Sequence, residues 1–183
     1  RQPIPKMGRK AVECNMLYID GLEVPKDHLI GEEGEGFKYL LQGLNPERVL
    51  FAVESIGLGF SALERAANYA KERVVFGRPI GQNQGIQHPL AKSWAELSAA
   101  ELLAYKAAGL YDAGQDCGAE ANSAKYLGTE AGFRACETAV LTHGGMGYAK
   151  EYHVERMMRE AMLSREMILN FIAERVLGLP KSY

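Results

Sequence analysis

The sequence reads as a mainly α protein, an antiparallel four-helix bundle preceded by a short β or extended segment, and three observations predict this. Beyond residue 35 the apolar residues recur at spacings of three and four, the helical period. Gly, Pro and Asn punctuate those runs where helices start and stop. The links between runs are short, so successive helices must fold back on one another.

Residues 11–24 alternate loosely around an Asp20-Gly21 step, which predicts a short hairpin or two extended pieces. A first helix is expected over Gly36 to Gly43, closing on a glycine. A second begins at Asn45-Pro46, where Asn supplies a side-chain cap and Pro takes a position whose N–H would be unpaired anyway. Its apolar stripe, Val49, Val53, Ile56, Phe60, Leu63, Ala67 and Ala70, runs up to Arg73. The next helix spans about Gln82 to Asp112, with a kink or a true start at Pro89 and a core stripe of Leu90, Trp94, Leu97, Ala100 and Ala104. After a connection at Gln115 to Gly118, a third long helix from Ala119 to Thr142 places Ala124, Leu127, Ala131, Ala135 and Val140 inward. The last helical region covers Val154 to Gly178, and no internal repeat or low-complexity segment is present.

Composition narrows the function. A chain of 183 residues with 47% hydrophobic content buries one substantial core. Twenty-one basic against 23 acidic residues leave no basic footprint for nucleic acid, and that class is excluded. No segment reaches the ~18 uninterrupted apolar residues of a membrane helix, and residues 1–10 lack the apolar core of a signal peptide. Cys14, Cys117 and Cys136 have neither metal nor redox spacing, so they read as small packed thiols in a reducing, cytoplasmic compartment. A di-iron site needs Glu three residues before an inward His, and His28, His88, His143 and His153 all lack it. No metal site is expected.

Three segments carry chemistry. At residues 72–87 the Arg73 guanidinium, beside a turn relaxed by Gly77, can grip a diphosphate in bidentate fashion while the Phe76 ring stacks on a flat cofactor. The same residues also make a plain helix stop, with Arg complementing the helix end. At Thr142 to Tyr148 the glycines let backbone approach a ligand without a Cβ in the way, or simply cap a helix. At Gly43 to Arg48, Glu47 falls in a first helical turn, where the macrodipole favours an acid whatever its role.

Arg73, Phe76, Gly77, Pro79, Ile80, Gln84 and Gln87 stand in register with an Arg-x-x-Phe-Gly-x-Pro-Ile…Gln-x-x-Gln signature. In this the chain resembles the acyl-CoA dehydrogenase family, flavoenzymes that desaturate acyl thioesters. Leu22 to Phe37 is similar to the family's passage from its middle β domain into its C-terminal bundle. The resemblance implies that residues 1–34 are the tail of the middle β domain and a linker, that residues 35–183 are the C-terminal helical bundle, and that both belong to a longer enzyme.

It also implies roles. FAD would contact Arg73, Phe76, Gln84, Leu141, Gly144 and Gly145, the glycine turn reaching the adenosine half from a neighbouring subunit. Leu141 departs from the Gln that the family often places there, and His143 reads as a turn or packing residue. Glu47 occupies the base position of the isovaleryl and long-chain branches, one residue before the Arg. The Tyr-Glu-Gly loop that carries the base in most members has no counterpart in residues 160–169, where Glu160 and Glu166 read as solvated helix charges. That stretch is shorter than in relatives, through a deletion or a segment skipped between Leu163 and Ser164. Asn45 and Arg48 would lie on the substrate side, although Arg48 could equally pair with Glu47 or Glu54. The implied partners are an acyl-CoA, an electron acceptor for the reduced flavin, and further copies in a homodimer or homotetramer. The isolated piece is not expected to retain FAD. The competing function is a noncatalytic module that oligomerises or binds an acyl-CoA within a larger protein.

Overall fold

The computed structural model describes residues 1–163 and 165–182, arranged as two compact units, Arg1–Leu44 and Asn45–Tyr183. In the first unit β1 (Gln2–Pro3) pairs antiparallel with β2 (Asn15–Met16). Lys6 Nζ crosses the intervening loop to donate to the Arg9 carbonyl at 2.9 Å and to the Val12 carbonyl. The hairpin expected within residues 11–24 is therefore displaced. β2 lies within that stretch, but its partner comes from the chain start, and among the described residues Asp20-Gly21 is an unpaired bend.

One helix, α1 (Gly36–Glu72), replaces the two that Gly43 and Asn45-Pro46 predict. Pro46 forfeits a single intrahelical hydrogen bond, and the turns that follow bury Val49, Ala52, Ser55 and Ile56, which outweighs that loss. Two more long helices complete the frame, α2 (Gln84–Asp112), running through Pro89, and α3 (Gly118–His143).

The register between them is set by small residues. A Cβ on Gly128 would lie 3.1 Å from the Ala52 carbonyl oxygen, and one on Gly132 would overlap the backbone of Ser55. α1 and α3 therefore run parallel with their backbones nearly touching. α2 is antiparallel to both, with Ser93 bonded to Thr138 (3.3 Å) near one end and Lys106 paired with Glu120 (3.0 Å) near the other. Leu97 and Ile56 are the largest fully buried apolar side chains of this frame, in a cluster with Leu63, Ala52, Ala100, Ala104, Ala124, Ala131 and Ala135.

Two expected core residues are outside it: Trp94 is 60% and Leu127 45% exposed, while Ser93 and Gly128 are buried in their turns. Bulk explains the difference, since helices this close admit Ser, Ala and Gly between them and push large side chains outward.

The fourth position, the expected helical region from Val154 to Gly178, is filled by helical pieces rather than one helix. α4 (Val154–Ala161) packs Val154, Met157 and Ala161 against Cys136 and Ala139. α5 (Met167–Phe171) then brings Phe171 against Gly118 and continues into a π-helical turn at Ile172–Val176. Helical backbone ends at Met162, where ψ is 89°, and the Arg165 guanidinium turns inward to pair with Glu130. The expected discontinuity at Leu163–Ser164 lies outside the described residues, because Ser164 is not among them. Among the described residues no helix is long and apolar enough to cross a membrane, and no cluster of His, Cys, Asp and Glu could hold a metal ion.

Candidate functional site

The link from α1 to α2 is a miniature hairpin rather than a bare turn. β3 (Val74–Val75) pairs with β4 (Arg78–Pro79) across a two-residue loop, Phe76–Gly77, with φ of +53° and +78°. Two positive φ values mark the mirror-image turn that suits hairpin twist, and Phe is strained in adopting one. Its ring gains no burial in return, being fully exposed at 101%.

The base of this hairpin is fixed from several directions. Ile80 N–H donates to the Arg73 carbonyl at 2.9 Å, and Gly81 sits against the Ala70 carbonyl, where a Cβ would come within 2.9 Å. Asn83 accepts from Arg78 Nη2 at 2.6 Å and donates to the Ile80 carbonyl at 2.9 Å, while Gln87 Nε2 donates to the Gly81 carbonyl at 2.7 Å. Arg73 is exposed and makes no ion pair among the described residues, and Gln84 is the exposed first residue of α2.

At the end of α3, Gly144 takes φ +58° and ψ −134°, and the chain folds back so that Gly147 is buried against the Val140 carbonyl. His143 anchors the turn: it is buried, its ring stacks on Tyr69 with centroids 4.3 Å apart and meets the Tyr152 ring edge-on at 5.4 Å. Its Nδ1 is 2.7 Å from the Ala139 carbonyl oxygen, consistent with a packing role. Leu141 is 71% exposed, and a Cβ on Gly144 or Gly145 would meet nothing within 4 Å.

Because α1 and α3 are parallel, they finish at the same end. Arg73, Phe76, Gln84, Leu141, Gly144 and Gly145 are thereby gathered on one end of the bundle. Glu47, Asn45 and Arg48 stand at the other, some 25 residues of helix away, about 38 Å. The structure thus assembles the predicted residues into two separate groups.

In the second group Arg48 pairs with neither Glu47 nor Glu54: its Nη1 donates to Asn45 Oδ1 at 2.8 Å. Burial lowers the Arg48 guanidinium from its ordinary value, against the opposing charge of Glu47. Lys125 on α3, which no sequence motif marks, completes this group. Its Nζ stands 5.0 Å above the Phe51 ring centroid, and burial lowers its pKa while Glu47 acts to raise it. No local sequence signal announces this residue, because only the α1–α3 register brings it near Glu47. Glu160 pairs with Arg156 at 2.9 Å, and the exposed Glu166 accepts the Arg165 backbone N–H at 3.1 Å, which holds its carboxyl below the usual range.

A family model described as "Acyl-CoA dehydrogenase, C-terminal domain" matches residues 34–177. The chain belongs to the acyl-CoA dehydrogenase family. Among its relatives is an acyl-CoA dehydrogenase of Mycobacterium bovis, 47% identical over 175 residues that cover 91% of this chain and 45% of the relative. The butyryl-CoA dehydrogenase of Megasphaera elsdenii superposes with a TM-score of 0.92 at 32% identity, over 96% of this chain and 48% of that structure. PigA, solved with FAD and proline, gives a TM-score of 0.92 at 26% identity over 98% of this chain and 48% of that one. The chain spans about half the length of the acyl-CoA dehydrogenases it matches.

Proposed function

We propose that this chain is the C-terminal part of an FAD-dependent acyl-CoA dehydrogenase that introduces an α,β double bond into an acyl-CoA thioester. Residues 1–34 are read as the tail of the middle β domain with its linker, and residues 35–183 as the helical domain. The observation that carries the reading is Phe76, a fully exposed ring on a strained backbone beside an exposed Arg73 that has no ion pair among the described residues. Strain of this kind persists where a binding surface uses it. An exposed ring, an exposed guanidinium and two glycines with open space at the same end fit a flat cofactor bearing a diphosphate. Arg73, Phe76, Gln84, Leu141, Gly144 and Gly145 would hold FAD, which when bound supplies the acceptor for the hydride leaving the β-carbon.

Glu47 is assigned the α-proton. Its carboxylate accepts that proton as the C–H electron pair becomes part of the new double bond, and Asn45 and Arg48 line the substrate side with the guanidinium already oriented by the amide. Since ~38 Å of helix separates Glu47 from the cofactor face, one copy cannot bring both to the same flavin. This favours a homodimer or homotetramer in which one copy's cofactor end completes another's site. Trp94, Leu102 and Tyr105, 60%, 74% and 66% exposed along one side of α2, support such self-association. A separate acceptor then takes the electrons from reduced flavin.

The full-length protein should purify yellow and bleach anaerobically with an acyl-CoA. Glu47→Gln should still bind substrate while flavin reduction slows by ~10² to 10⁴. Reduction at the wild-type rate would remove Glu47 from the chemistry, and a colourless full-length protein would remove the cofactor.

A further inference from the structure

The close approach of α1 and α3 has an effect at the Glu47 end. Gly128 faces Ala52 across the helix contact, so one turn earlier on both helices Lys125 comes level with Arg48, within reach of Phe51 beside Ala52. There the ammonium stands 5.0 Å over the Phe51 ring centroid, half-buried and without an ion pair among the described residues. The neighbouring charges are otherwise engaged: Lys106 pairs with Glu120 at 3.0 Å from α2 and α3, and Arg48 is bonded to Asn45 at 2.8 Å. Glu47 is the carboxylate whose charge acts on both Arg48 and Lys125. A cation held partly out of water gains something from the ring beneath it, but its charge still seeks an anion.

We propose that Lys125 is a positioning residue for Glu47: its ammonium, pinned over Phe51, acts from α3 to hold the carboxylate, just past Pro46 within α1, between two cations. This inference rests on the reading of Glu47 as the base. A long glutamate side chain samples several rotamers, and proton transfer requires the one within hydrogen-bond reach of the substrate carbon. A cation on the facing helix narrows that choice without touching the substrate.

A double-mutant cycle on the full-length holoenzyme tests it, reading single-turnover flavin reduction and acyl-CoA affinity. Lys125→Met should slow reduction about tenfold in the native background, within the coupling range of neighbouring charges, and leave substrate affinity within about twofold. In Glu47→Gln the same change should have no further effect, and Lys125→Arg should restore most of the native rate. Equal slowing in both backgrounds would overturn the inference, because Lys125 would then act independently of Glu47. A weakened affinity with an unchanged rate would overturn it too. If Glu47→Gln itself reduces flavin at the native rate, the base assignment fails first and the inference falls with it, an outcome distinct from the other two. Should Lys125→Met not fold, Lys125→Gln carries the same comparison.

Discussion

Gly132 on α3 packs on Ser55 of α1 so closely that the glycine has no room for a Cβ, and the buried Ser55 hydroxyl finds no hydrogen-bond partner among the described residues. The helices accept an unsatisfied polar atom in exchange for backbone contact, a cost of about 1–3 kcal/mol. Alanine should therefore be worse than glycine at position 132, although it is the better helix former by about 1 kcal/mol. We expect Gly132→Ala to destabilise the chain by about 1–3 kcal/mol in urea unfolding. Gly109 in α2, where an added Cβ would meet nothing within 4 Å, is the control, and Gly109→Ala should be neutral or stabilising. A more stable Gly132→Ala would show that α1 and α3 stand farther apart at this position.

That contact also explains what could be foreseen from sequence. Helical periodicity locates three long helices, all but the start of α1 within a few residues, and the two glycine-bearing motifs fall at one end of the bundle. The core composition misleads, since Trp94 and Leu127 satisfy the helical spacing yet face solvent, while Ser93, Gly128 and Gly132 carry the packing. A stripe drawn through large apolar residues finds the buried face only where helices stand a Leu apart, as around Leu97. Asn45-Pro46 has the chemistry of a helix start, but the burial beginning at Val49 carries α1 straight through it. Lys125 is illegible for another reason: its relation to Glu47 exists only after α1 and α3 are in register.

Cys136 lies between α3 and α4, fully buried, and desolvation pushes its thiol up from 9.0 to about 12, with the charge of Glu160 adding to the shift. A folded pKa above the unfolded one stabilises the fold at pH values below the unfolded pKa. That contribution is lost as the pH climbs from about 9 toward 12. Cys136→Ala should accordingly flatten the alkaline fall in stability relative to the parent chain. With a thiol reagent at a pH of about 8, exposed Cys14 should label while Cys136 stays protected until the chain unfolds. Labelling of Cys136 at the rate of Cys14 would contradict its burial.

Phe76 separates stability from binding. With φ at +53° and no burial of its ring, replacement by glycine relieves backbone strain of about 1 kcal/mol or more, partly offset by the added freedom of the unfolded chain. Phe76→Gly should leave the melting temperature of the 183-residue chain unchanged or slightly raised. In the full-length protein the same change should lower flavin retention. A clear loss of stability in the short chain would mean that the ring packs on the bundle.

The two ends of the bundle supply the most direct test of assembly. If Arg73 of one copy serves the site that contains another copy's Glu47, two inactive full-length variants should rescue each other. In a mixed pair of Glu47→Gln and Arg73→Met subunits, one site carries both defects and the other carries neither, so refolding the two together should restore flavin reduction. If both residues served the same subunit, every site in the mixture would carry one defect and no activity would return. The short chain makes the complementary point. Lacking the remainder of the site, it should pass through gel filtration without bound FAD, because ordering loop residues around the ligand costs about 1–2 kcal/mol each and the surface present here is partial. Recovery of activity in the mixed oligomer would place the ~38 Å between Glu47 and Arg73 across a subunit boundary; absence of recovery, with both variants folded and assembled, would refute the shared site.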